Sequence, residues 1–163
     1  MSRRARIVAL AIPLLAVVLG IVRAELFLQG AQDFVFEIEG YDPRDLLHGR
    51  YLQFRLRVEA SEPSTCADSE QDCCLCLTRG ADVVSQAPRM RCVDASARCD
   101  ASLAVTHVQE PMRYYVPEEH ARALEQHLID AMQRNAARAV LAIDASGNVS
   151  VRELRIDGER LQP

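Results

Sequence analysis

Six cysteines, Cys66, Cys73, Cys74, Cys76, Cys92 and Cys99, fall within one stretch of the chain. Three chemistries are open to such a cluster: disulfide bridging, thiolate metal binding and thiol-redox exchange. A second concentration of polar side chains lies upstream, in Asp42, Arg44, Asp45, His48, Arg50 and Tyr51. There Asp45 or His48 has the character of an acid–base group, and Arg44 that of an anion holder. The same residues also have plain local jobs. Asp42 is an N-cap, Pro43 a first helical residue, Asp45 the far end of a capping-box-like pattern, and Gly49 a stop. An Asp–Arg pair would fix such a turn onto a sheet. Tyr51 would bury its ring where the next strand starts. The local reading is preferred, and no residue is assigned a catalytic role.

Compartment decides among the cysteine chemistries. The chain opens with Arg3, Arg4 and Arg6, then runs uncharged from Ile7 to Val22. Arg23 alone follows the run before Glu25, Asp33, Glu37 and Glu39. This asymmetry predicts a single-pass anchor in the inner (cytoplasmic) membrane, with the N-terminus inside and the rest outside. The run falls short of the roughly 20 residues of a comfortable span. Leu26, Phe27 and Leu28 extend it, with Arg23 and Glu25 at the interface. Residues 1–28 are therefore read as an Arg-rich tip and signal-anchor, and 29–163 as one extracytoplasmic domain. A signal peptide cleaved after Val22-Arg23-Ala24 is the competing reading.

Outside the cytoplasm, an even cysteine count reads as disulfides. Bridges within Cys73-Cys74-Leu75-Cys76 would be strained, so each of these three is expected to reach Cys66, Cys92 or Cys99. Six cysteines allow fifteen pairings, and spacing does not choose among them. Paired Cys-x2-Cys knuckles are missing, so no metal and no cofactor are assigned.

Composition removes further classes. The chain contains no lysine, which excludes a side-chain Schiff base, a Ser–Lys dyad and a P-loop lysine. The net charge is −4 and four of the arginines belong to the anchor region, which disfavours a nucleic-acid partner. No Gly-x-Ser-x-Gly elbow occurs. His120 and His127 lie seven residues apart, about 10 Å along a helix, too far to share one ion unaided. They are read as a solvated face, and His107 as a lone strand residue.

The elements that must position these groups follow from periodicity. Phe34–Glu39 alternates as a strand. From Tyr51, Leu52, Phe54, Leu56 and Val58 face one side, and Gln53, Arg55, Arg57 and Glu59 the other. Residues 60–100 are read as a Cys-rich region, a disulfide-stapled loop up to about residue 80. One strand within 81–93, interrupted near Ala87-Pro88, is expected to follow, then strands at Leu103–Val108 and Met112–Val116. Pro117 is expected to open the one long helix, with Glu118 and Glu119 in its first turn. Its apolar face would be Ala121, Leu124, Leu128, Ala131 and Met132, and Asn135 would stop it. A hairpin, 139–156, turns at Asp144–Asn148. The fold class expected is α+β, a mainly antiparallel β domain after the anchor.

The stretch Asp42-Pro43-Arg44-Asp45-Leu46-Leu47, with Gly49 and Tyr51, resembles the bacterial family named for its GDYXXLXY motif. Tyr115-Val-Pro-Glu118 and the Gly147 hairpin resemble that family's later elements. The resemblance covers about Phe34 to Leu154. The naming motif keeps Gly49 and Tyr51 but has Arg50 for Asp, Phe54 for Leu and Leu56 for Tyr. It implies a membrane-anchored bacterial protein and brings no activity with it. The function expected is a non-enzymatic binding or structural module of the cell envelope, with another membrane protein as a possible partner. The alternative is an envelope thiol-redox factor or hydrolase using the cysteine cluster or the Asp42–Tyr51 turn.

Overall fold

The computed structural model describes residues 3–40, 51–62, 64–66, 72–80 and 82–161. The expected turn residues Asp42, Arg44, Asp45, His48 and Gly49 lie outside these, while Tyr51 lies within them. The chain divides into two compact units, 1–31 and 32–163. The first is helix α1, Arg3–Gly30, which carries Pro13 and runs slightly past the boundary expected at residue 28. Ile12, Leu14, Leu15, Val17, Leu19 and Ile21 are all exposed along it. Among the described residues no helix is long and apolar enough to cross a membrane.

The second unit is α+β with a mostly antiparallel sheet. It starts with β1, Gln32–Gly40, whose Phe34, Phe36 and Ile38 are buried as the alternation predicts. β2, Tyr51–Arg57, pairs antiparallel with β1 and buries Leu52, Phe54 and Leu56 on the same face. β3, Glu59–Ser61, then leaves that pairing. β4 is Cys73–Leu77, and β5 is Gln86–Arg91. Helix α2, Cys92–Arg98, is followed by β6, Ala101–Ala104, and helix α3, Val105–Gln109. β7 is Met112–Tyr115, and helix α4 is Ala121–Gln133. The hairpin β8, Ala137–Ile143, and β9, Val149–Ile156, precedes a two-residue β10, Glu159–Arg160.

Six strands form one antiparallel sheet in the order β10-β9-β8-β1-β2-β7. Four form a second, β3-β5-β4-β6, in which β3 and β5 alone run parallel. Both sheets and α4 close over one core containing Phe36, Phe54, Leu75, Leu103, Leu128 and Leu141. Burying such side chains contributes roughly 1.5–3 kcal/mol each.

Several expectations are corrected here. The Cys-rich region is not mainly loop. Cys73–Leu77 is a strand buried at every residue. A bridged cysteine packs as a small apolar residue, so this run reads as a strand buried on both faces. The strand within 81–93 passes through Ala87-Pro88 without interruption: Pro88 pairs with Ser61 of β3 and lies outside the pairing with β4, which runs over Arg89, Met90 and Arg91. Leu103–Val108 is not one strand. β6 ends at Ala104, and the next residues coil so that Val105 and Val108 pack on the core. Tertiary burial there outweighs the β preference of valine.

α4 starts later than Pro117. His120 N–H donates to Pro117 O (3.2 Å) and Ala121 N–H to Glu118 O (3.3 Å), a tight turn ahead of the first α-helical residue. Its face is as read: Leu124, Leu128 and Ala131 are buried. Its stop is also as read. Asn135 adopts φ 54°. Ala136 N–H reaches Ala131 O (2.9 Å) and Asn135 N–H reaches Met132 O (3.0 Å), the paired bonds of a Schellman end. At 13 residues α4 is not a lone long helix; α2 and α3 accompany it in this unit.

Candidate functional site

The cysteines are placed by alternation along β4. Cys73, Leu75 and Leu77 point into the core, so Cys74 and Cys76 point the other way. Each of the three cysteines bridges outward, as expected. Cys66 pairs with Cys73, Cys74 with Cys92, and Cys76 with Cys99. Cys92 is the first residue of α2 and Cys99 its C-cap, so two bridges bracket this short helix and hold it on β4. Ala95 at its centre is fully buried underneath. Bridged sulfurs offer neither a thiolate for a metal nor a nucleophile.

Beyond the cysteines, the outer face of the six-stranded sheet is an ionic lattice. Arg138 pairs with Glu37 across β8 and β1 at 2.9 Å. Arg155 and Arg160 both reach Glu153, at 2.6 and 3.4 Å, and Arg152 reaches Asp33 at 3.1 Å. Arg57 Nη1 donates to Asn135 Oδ1 at 3.0 Å. A recess of about 360 Å³ opens between Val35, Val83, Arg138, Arg155 and Asp157. Its two arginines already hold Glu37 and Glu153, so it offers no uncommitted cation to a ligand.

A different arrangement stands where β2 meets β7, the last strand of the sheet on that side. The register sets Tyr51 opposite Tyr115 and Gln53 opposite Arg113. Residues 52, 54 and 56 fill the core, so these four share the opposite face. The Tyr51 and Tyr115 rings meet edge to face with centroids 6.0 Å apart. The Arg113 guanidinium lies over the Tyr51 ring, 5.0 Å from its centroid. Among the described residues no carboxylate pairs with Arg113. Tyr115 is 72% exposed, whereas Gln53 is only 7% exposed and its Oε1 accepts no hydrogen bond. A buried amide oxygen left so costs about 1–3 kcal/mol.

The other residues of the expected turn lie outside the described residues, and Tyr51 opens β2. Its ring is partly exposed and belongs to a strand-to-strand cluster rather than simply closing off the strand. His120 and His127 belong to the turn before α4 and to α4 itself, and His107 to α3 rather than to a strand. Gln53, Arg113 and Tyr115 were invisible as a group in the sequence. Gln53 sits in a polar alternation that reads as solvent face, and register across two strands is not encoded locally. The available signal was the pair of family-like elements ending at Tyr51 and starting at Tyr115, which the fold brings ring against ring.

The family described as GDYXXLXY protein matches residues 13–154. The chain belongs to this family. The match takes in α1 from Pro13 onward and nearly all of the β unit. The departures of the naming motif at Phe54 and Leu56 both fall on buried core positions, where a ring stands for the motif's Leu and an aliphatic side chain for its Tyr. Neither the curated proteins nor the solved structures contain a match to this chain.

Proposed function

We propose that this GDYXXLXY protein is a non-enzymatic binding module, anchored in the cytoplasmic membrane and facing the envelope space. The observation that carries the reading is the set of three bridges using every cysteine of the chain. Such bridges persist in oxidising compartments and are rare in the cytosol. Supporting the anchor are the uncharged run Ile7–Val22 and the arginines that precede it. The exposed apolar side chains along α1 are a surface that water disfavours and lipid accepts. The family match beginning within α1 favours retention of that helix over its removal.

Binding is favoured over turnover by how the polar groups are disposed. The carboxylates and guanidiniums of the outer face neutralise one another. Where β2 meets β7, the polar groups among the described residues are a buried amide oxygen, a stacked guanidinium and an exposed ring, which recognise rather than react. Protease treatment of cells making the chain with a C-terminal tag tests the orientation. The tag should be lost from spheroplasts but protected in intact cells, and it should sediment with membranes. A tag protected in spheroplasts and cut only after lysis would place the unit in the cytoplasm and end this reading.

A further inference from the structure

We propose that Cys74–Cys92 and Cys76–Cys99 act together as a redox-operated clasp on α2, opened by a dithiol reductant while Cys66–Cys73 stays closed. The resting protein is the closed form. The three bridges are not equivalent. Cys66 and Cys73 both pack within the apolar core, and none of the other four cysteines belongs to it. Cys74 and Cys76 face out from β4, and their partners are half-buried at the two ends of α2. A thiolate arriving from solvent therefore attacks Cys92 or Cys99 Sγ, and Cys74 or Cys76 leaves as the thiolate. Those two leaving cysteines are buried, but beneath α2, which a broken bridge frees to move. Attack on Cys66 would instead have to release the Cys73 thiolate, 1% exposed, into the core, and burial opposes that charge.

What the clasp holds has little to keep it in place otherwise. α2 has seven residues and no side-chain cap, and Ala95 is its one fully buried residue. Val93, Ser96, Ala97 and Arg98 are all exposed. Helices this short are marginal in water. β4, by contrast, keeps Leu75 and Leu77 in the core and is paired on both sides, with β5 and β6. Opening the clasp thus loosens one element and bares the outer face of β4, while the sheet stays. Each bridge takes two electrons and two protons. One thiol of the reductant forms a mixed disulfide with Cys92 or Cys99. Its second thiol then resolves that bond, and the reductant departs as a disulfide. With either bridge still closed, one end of α2 stays pinned, so release follows the second reduction. A disulfide donor reverses both steps.

The full chain in detergent micelles is equilibrated over a series of reduced-to-oxidised dithiothreitol ratios, quenched in acid, alkylated and mapped by mass. Cys74, Cys76, Cys92 and Cys99 should become alkylated at a ratio roughly tenfold or more lower than Cys66 and Cys73, a gap of about 30 mV. At that ratio amide exchange should rise over residues 92–99 while β1, β2 and β8 stay protected. Glutathione disulfide should restore both bridges and the protection of α2. Replacing Cys66 and Cys73 together by serine should leave the clasp's transition unmoved. Should that variant fail to fold, the mapping of the parent chain decides alone. Opening of all three bridges together, or of Cys66–Cys73 first, overturns the proposal. So does loss of protection throughout the sheet at the clasp's transition, or an α2 that stays protected with its four thiols free. The titration uses purified chain, so its outcome is separate from that of the spheroplast assay. A unit found in the cytoplasm would end the envelope reading and leave the clasp standing, and bridges that open together would do the reverse.

Discussion

At Gly147 the backbone is left-handed and a neighbouring strand leaves little room for a side chain. Its φ is +82°, and a Cβ there would stand 3.3 Å from the Ser102 carbonyl oxygen of β6. The turn around it is fixed by Asp144, whose Oδ1 accepts from Ser146 N–H and Asn148 N–H, both at 2.9 Å. Gly147→Ala should therefore destabilise by about 1–3 kcal/mol, combining left-handed strain with the contact. Gly158→Ala, with a similar φ of +86° but open space, should cost less. Thermal unfolding of the two variants side by side checks the order; equal losses would show that the Ser102 contact does not matter. Arg138 is the other residue whose role is structural. Its guanidinium holds Glu37 and also donates to Asn135 O (2.7 Å) and Ala137 O (2.9 Å), tying the end of α4 to β1. Arg138→Leu should cost on the order of 1–3 kcal/mol in chemical denaturation. At this scale the sequence was legible where a residue's job is local. Asp144, Gly147 and Asn135 announce their turns by type. Gln53 and Arg113 do not, because their meaning comes from partners about 60 positions away in the chain.

Among the elements, α2 depends most on covalent support. It has seven residues, no side-chain cap, and a bridge at each end. Helices this short are marginal in water. Replacing Cys76 and Cys99 together by alanine opens a loop of sequence separation 23. The double variant should lose about 2–4 kcal/mol, and amide exchange should rise first in α2. Exchange rising evenly through β1 and β8 instead would show that the bridge supports the whole core rather than this element. α4 depends on packing. Leu128 is 1% exposed, so Leu128→Ala should cost about 2–5 kcal/mol. Elements with a clean period were readable: β1, β2, the final hairpin and the buried face of α4. β4 was hidden because its five apolar positions include three cysteines, which suggest staples before they suggest a strand. α3 was hidden because valines that favour strands are held in a helical turn by the core beneath them.

For the molecule as a whole, the two units answer different questions. The β unit, with its antiparallel sheets and shared core, was foreseeable in class and, from the family resemblance, in kind. The way the ten strands among the described residues distribute over two sheets was not, since strand order across crossovers follows from long-range burial. The proposed role joins the units: a hydrophobic helix that tethers, and a stapled sheet domain that presents the Tyr51–Tyr115 patch. Both parts depend on export. Mass mapping without reduction, on protein recovered from membranes, tests that dependence most directly. The account predicts the bridges Cys66–Cys73, Cys74–Cys92 and Cys76–Cys99 together with an intact N-terminus. Free cysteines in the native protein, or a chain starting after Ala24, would contradict it.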